Sequence, residues 1–322
     1  SPKDFETMMQ LTYLTFTAPR RDDEAFASYK NRNKAALLNQ EMNPNVAFSD
    51  SITFALQMGH PRTIRMKADM IDNMDYDKIL AMYQDRYKDA SDFTFILVGN
   101  VDVESMKPLI AEYLGALPAI NRKESFKDNK IEYRKGVYKN EFVREQETAK
   151  ASNFVSFIGT CKYDLKNSIL QDMTCQIMDL VYTEKVREDE GGTYGVYVGG
   201  NLSKYPKEIA GIQIVFDTAP SKREKLMKII FAEIECISKE GPSEANLNKV
   251  KEFMLKKHAE DLKENSYWMG SIDEYLFTGM NPIKDYEQIV NSITAKDIQK
   301  FASDLFKQKN EIEVSMISPD KE

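Results

Sequence analysis

The chain has 322 residues, 42% hydrophobic and 30% charged, enough to bury a core and to expect about two domains of ordinary size. Formal net charge is -7 with pI near 5.3, and the 44 basic residues are scattered, which excludes the concentrated positive surface that nucleic acid requires. Cys161, Cys175 and Cys236 form no C-x-x-C pair, no apolar run reaches the roughly 18 to 20 residues of a membrane span, and residues 1–20 lack a secretory pattern.

In chain order, "LTFTAPRRDDEAF" (14–26) reads as an alternating apolar strand, a Thr-Ala-Pro stop and a charged helix start. The same grammar returns in "IVFDTAPSKREKLM" (214–227), where Ser221 and Glu224 stand at capping-box spacing. "SITFALQMGHP" (51–61) resembles "SIDEYLFTGMNP" (271–282), with Ile52, Leu56 and Gly59 matching Ile272, Leu276 and Gly279 at an offset of 220 (272 minus 52). "YDKILAMYQDRYKDASDFTFILV" (76–98), ending in a predicted strand, resembles "AKDIQKFASDLFKQKNEIEVSMI" (295–317). Three matches in one order indicate a repeated unit. The second copy has a long stretch before its Thr-Ala-Pro stop and the first has sixteen residues, so the first unit is expected to be truncated at its front.

"LGALPAINRKESFKDNK" (114–130) reads as a linker. Beyond it, "GVYKNEFVREQ" and "SNFVSFIGT" predict strands, and Ile169, Met173, Ile177 and Leu180 predict a helix near 165–187. "TYGVYVGGNL" and "AGIQIVFDT" predict two more strands, then come helices carrying Leu226, Ile230, Leu247, Val250 and Met254, and a final strand, "EIEVSMIS". Strands with short turns before a block of helices predict an α+β fold, an antiparallel sheet with helices packed on one face, in two related units.

The stretch "REDEGGTYGVYVGG" (187–200) is the candidate site. A phosphate loop requires strand, glycines, then helix, and this stretch runs helix, glycines, strand. His60 and His258 stand far apart without carboxylate partners at zinc-ligand spacing, so they read as core or half-buried residues and no metal is expected in this chain. No G-x-S-x-G elbow occurs. Two readings of Arg187 and Tyr194 stay open. Arg187 can be a cation at a helix C-terminus and Tyr194 an ordinary strand residue. Alternatively, the turn at Gly191, Gly192 and Gly195 folds the strand back so that guanidinium and phenol reach one cleft, donating to a peptide carbonyl and to a developing oxyanion.

"REDEGGTYGVYV", "DFTFILVGNVDVESMKPLIAEYLGALP" and the repeated units together resemble the C-terminal, non-zinc half of pitrilysin-type (inverzincin) zinc metallopeptidases, notably their bacterial two-halved members. The resemblance covers nearly the whole chain. It implies that residues 1–118 are the latter part of the family's third domain, 119–128 a linker and 129–322 the fourth domain. It also implies that zinc, held by H-x-x-E-H, sits in an N-terminal half absent here, that the halves close like a clamshell on a peptide or unfolded protein, and that this portion alone is inactive. Arg187 and Tyr194 match the family's substrate-holding and oxyanion-stabilising pair, with Gly191, Gly192 and Gly195 as the substrate-binding loop. The compartment expected is the bacterial periplasm or envelope, with the cytoplasm as the alternative. A rival function within the same superfamily is a catalytically inactive scaffold subunit.

Overall fold

The computed structural model describes residues 2–100, 102–190 and 195–319, with backbone alone for 2 and 186–190. In chain order the elements are α1 (Phe5–Thr17), α2 (Asp23–Glu41), α3 (Pro44–Gln57), α4 (Ala68–Asp72), α5 (Tyr76–Tyr87), α6 (Val103–Tyr113), β1 (Val137–Val143) and β2 (Ala151–Thr160). They continue with α7 (Leu165–Glu190), β3 (Val196–Ser203), β4 (Ile209–Thr218), α8 (Arg223–Lys239), α9 (Glu244–Asp261), α10 (Asn265–Thr278), α11 (Tyr286–Ser292), α12 (Ala295–Phe306) and β5 (Glu311–Ile317). No helix among the described residues is long and apolar enough to cross a membrane. The chain divides into two compact units: Ser1–Met42, Met66–Lys127 and Asn265–Asp273 form the first, and Asn43–Arg65, Asp128–Glu264 and Glu274–Glu322 the second.

Unit 2 is built on a five-stranded sheet in the order β1-β5-β2-β4-β3. The expected α+β class holds, but the sheet is mixed: β5 lies between β1 and β2, parallel to the first and antiparallel to the second, so Ile312 faces Tyr138 on one side and Ser156 on the other. Sequence neighbours β1 and β2 therefore do not pair, because the C-terminal strand inserts between them. Nor are helices confined to one face. Val155, Phe157, Ile212, Ile214 and Phe216 bury against α7, α8 and α12, whereas Phe154, Ile312, Val314 and Met316 on the opposite face bury against Phe48 and Ala55 of α3. Alternation along each strand sends consecutive side chains to opposite faces, so a strand covered on both sides reads as a continuous buried run, as β2 does from Ala151 to Gly159. Each fully buried isoleucine contributes roughly 1.5 to 3 kcal/mol of transfer free energy.

Arg223 ties three strands together. Its guanidinium donates to Ser315 Oγ of β5 at 2.9 Å and to Asn153 Oδ1 of β2 at 3.0 Å, and pairs with Glu141 of β1 at 2.9 Å. The expected capping box at Ser221 and Glu224 does not form: Pro220–Lys222 is a short 3-10 turn and Lys222 precedes α8 without a side-chain cap. Proline directly after Ala219 fixes that turn, and Ser221 is used inside it. A capping box does form at Thr294 and Asp297, opening α12.

Unit 1 is helical. Phe5 and Met9 of α1 pack with Met106 of α6, and the Phe16 ring meets Tyr87 and Phe93 edge-on at 4.9 and 4.8 Å. The strand expected at 14–17 is the last turn of α1, since buried Phe5, Met9 and Phe16 recur at helical spacing. Thr-Ala-Pro thus ends a helix at Thr17 and a strand at Thr218, because proline stops either element. That match stands at an offset of 201 (218 minus 17), out of step with the true repeat: α5 and α12 are 219 apart (295 minus 76), and α3 and α10 are 221 apart (265 minus 44). In register, α1 to α5 correspond in order to α8 to α12. The strand expected at 93–98 corresponds to β5, yet it forms no ladder, because unit 1 has no partner strand among the described residues. Phe93, Phe95 and Leu97 are each more than a third exposed.

The equivalent helices α3 and α10 are exchanged. By sequence register α3 belongs with unit 1, but it clusters with unit 2, and residues Asn265–Asp273 of α10 cluster with unit 1. After α6, the chain is tied down at buried Asp89: its Oδ1 accepts from Ser91 N and Ile120 N, both at 3.0 Å, and its Oδ2 from Arg122 N at 2.7 Å. Burial opposes its charge, but the Ser91 side chain together with these N–H donors outweighs that and holds the carboxyl well below the usual range.

Candidate functional site

The predicted site lies where α7 gives way to β3. The α7 stripe of Ile169, Met173 and Ile177, with Met178 and Tyr182 beside it, is buried under the sheet. The Tyr182 hydroxyl donates to the Ile230 carbonyl at 3.0 Å, and Lys185 pairs with Glu233. These contacts fix the last described turns of the helix against α8. Beyond the junction, Val196 and Val198 of β3 turn into the same core while Tyr197 on the opposite face is 58% exposed. Because β3 pairs on one side with β4, the Val198 N–H points off the sheet edge. Asp179 of α7 accepts it at 3.1 Å, fastening strand to helix.

Arg187 falls within the helical backbone of α7, and its side chain lies outside the described residues, as do Gly191, Gly192 and Tyr194. Gly195 is exposed, and a Cβ added there would meet nothing within 4 Å. The order of elements, helix then strand, turns the carbonyl end of α7 toward the connection. That end favours cations over phosphate.

No nucleophile is activated at this junction among the described residues. Burial, with Asp172 and Asp179 adding to it, pushes the Cys175 thiol up to about 12, and burial likewise raises the Tyr182 phenol. His258 is buried and stacks on Tyr286 at 4.3 Å, as the core reading expects. His60 is half-buried and its Nδ1 accepts the Arg62 N–H at 3.2 Å. No group of three or more His, Cys, Asp or Glu among the described residues could hold a metal ion.

A groove that the sequence did not reveal opens in unit 2 on the sheet face opposite α7. It measures about 480 Å³ and is lined by residues from 131–135, 158–160, 201–209 and 308–310. A smaller cavity of about 120 Å³ shares Tyr133, Ile158, Asn201 and Ile209 with it and reaches Leu56 of α3. Residues so far apart in sequence leave no spacing to read.

The pattern described as Peptidase M16 inactive domain matches residues 73–254. The chain is 25% identical over 289 residues to a protein of Arabidopsis thaliana named zinc protease PQQL-like, covering 84% of this chain and 30% of that protein. Its fold matches the periplasmic protease PqqL of Escherichia coli with TM-score 0.81 at 16% identity, over 98% of this chain and 35% of that one. A peptidase M16 inactive domain from Pseudomonas fluorescens matches with TM-score 0.74 at 18% identity, over 98% and 76%. The chain thus spans about a third of the length of the Arabidopsis thaliana and Escherichia coli proteins.

Proposed function

Since the chain belongs to the peptidase M16 family through that family's inactive domain, we propose that it is the substrate-holding, non-zinc half of a two-halved zinc endopeptidase. The observation that carries this reading is the α7-to-β3 junction inside the matched region, where Asp179 of α7 accepts the Val198 N–H of β3, with Arg187 in the last turns of the helix and Tyr194 just before the strand in sequence. In this reading Arg187 donates to the carbonyls of an extended peptide and Tyr194 to the oxyanion of the tetrahedral intermediate. Two such donors are worth a few kcal/mol of barrier each when water is excluded, about 10²- to 10³-fold in turnover per donor.

Zinc is assigned to an N-terminal half because the two histidines of this sequence stand 198 residues apart (258 minus 60) and form no H-x-x-E-H. The partner is that half of the same polypeptide, the substrate a peptide or unfolded protein, and the compartment the periplasm, as for the Escherichia coli protease. Turnover of a quenched fluorescent peptide by the full-length protein tests this. Chelator should abolish cleavage, and Arg187→Ala and Tyr194→Phe should each lower kcat at least tenfold with thermal stability unchanged. Native turnover in both variants removes these roles, and a full-length protein without chelator-sensitive cleavage supports the scaffold instead.

A further inference from the structure

We propose that the groove on the far face of the unit 2 sheet is a second anchoring site for the polypeptide substrate, taking an aromatic or large aliphatic side chain flanked by acidic residues. This rests on the peptide-handling reading above, but on none of the residues assigned there. The walls are apolar, formed by Ile131, Tyr133, Ile158, Pro206 and Ile209. At the rim Tyr205, 49% exposed, meets the 69% exposed Phe277 edge-on at 5.3 Å. The shared Asn201 amide is exposed and has no hydrogen-bond partner among the described residues, so it can read a peptide N–H and C=O together.

The frame is preformed. Asn310 Oδ1 accepts the Gly136 N–H at 2.9 Å while its Nδ2 donates to the Ile158 carbonyl at 3.0 Å. Gln308 Oε1 accepts the Thr160 N–H at 2.8 Å and its Nε2 donates to the Thr160 carbonyl at 3.1 Å. A side chain entering such a groove spends little on ordering the protein.

Charge selects the occupant. Arg134, Lys135 and Lys207 line the groove against one carboxylate, Glu132, which pairs with Lys207 at 2.6 Å. Three cations less one anion leave a local charge of +2 in a chain whose net charge is -7. A locally positive concavity on an acidic molecule concentrates acidic segments and disfavours basic ones.

The test measures fluorescence anisotropy of this chain with three labelled, unstructured peptides whose central triplets are Glu-Phe-Glu, Glu-Ala-Glu and Lys-Phe-Lys. The first should bind at least tenfold tighter than the other two. Lys135→Glu with Lys207→Glu should weaken it at least tenfold and tighten the Lys-Phe-Lys peptide, and Ser203→Trp should fill the groove and weaken both phenylalanine peptides, all with thermal unfolding unchanged. Equal affinities for the three peptides, or none below about 1 mM, overturn the proposal. So does binding to this chain that vanishes in the full-length protein, which would make the groove a seat for the protein's own N-terminal half. Loss of binding in Arg187→Ala but not in the lysine reversals overturns the groove and leaves the Arg187 role standing. Intact groove binding beside full-length turnover indifferent to Arg187→Ala removes the Arg187 role alone.

Discussion

Replacing Arg223 by methionine keeps the aliphatic stem and removes the guanidinium that joins β1, β5 and β2. The side chain is 18% exposed, so its bonds to Ser315 and Asn153 lie in a low-dielectric site, whereas Glu141 is 57% exposed and can be resolvated when its partner goes. Charged hydrogen bonds of the first kind are worth about 1.5 to 3 kcal/mol each. Asn153 keeps a second partner, since the Ser315 hydroxyl donates to its Oδ1 at 2.9 Å, and methionine avoids the cost of desolvating a cation. The net loss for Arg223→Met is therefore about 2 kcal/mol, against at most about 1 kcal/mol for Glu141→Gln, whose pair is solvent-screened. Urea unfolding followed by far-UV circular dichroism, run as a double-mutant cycle, separates the two. If Arg223→Met costs under about 0.5 kcal/mol, or Glu141→Gln costs as much as Arg223→Met, the buried bonds are not what holds these strands.

Burial, a hydrogen bond with Glu313 and its charge raise the Glu311 carboxyl from 4.5 to about 7, against the opposing pull of Lys139. A carboxyl raised on folding binds its proton more tightly in the native state, so stability is fullest below about 4.5 and falls as pH climbs through about 7. Glu311→Gln should lift Tm at pH 8 and leave it nearly unchanged at pH 4; a gain independent of pH would refute the assignment. At Asp89, Asn substitution sets an amide N–H against the Arg122 N–H or the pair from Ser91 and Ile120. Hydrogen exchange should accelerate at these amides while the sheet of unit 2 keeps its protection, and unaltered exchange at all three would refute the anchoring role.

All five strands were legible because each is a run of β-branched and aromatic residues bounded by turns, as "AGIQIVFDT" is for β4. Their order was not, since the insertion of β5 between β1 and β2 depends on pairing Val314 with Asn140 and Phe154, more than 150 residues away (314 minus 154 is 160). Arg223 reads as an ordinary charged helix start, and only the meeting of three strands gives it acceptors. The repeat was visible through Gly59 and Gly279, both at positive φ, the first just past the left-handed Met58 that caps α3 and the second as the cap of α10. Its misreading at Thr-Ala-Pro came from a terminator that serves helix and strand alike. At the candidate site, the helix-to-strand order was readable from glycine placement, whereas Asp179 clasping the β3 edge has no sequence mark. The groove is assembled from four distant segments and was invisible for the same reason as the strand order.

The exchanged helix α3 sets a timetable for the growing chain. Phe48 is made before β5, yet it shares a buried cluster with Val314, 266 residues later (314 minus 48). Throughout that interval of synthesis Phe48, Ile52 and Ala55 have no β5 to cover them. The segment therefore travels as an open apolar surface, the condition in which chaperone capture competes with self-association. Closure waits on the final strand, so a ribosome stalled before Glu311 releases a chain whose second unit can neither complete its sheet nor shelter the helix already waiting for it.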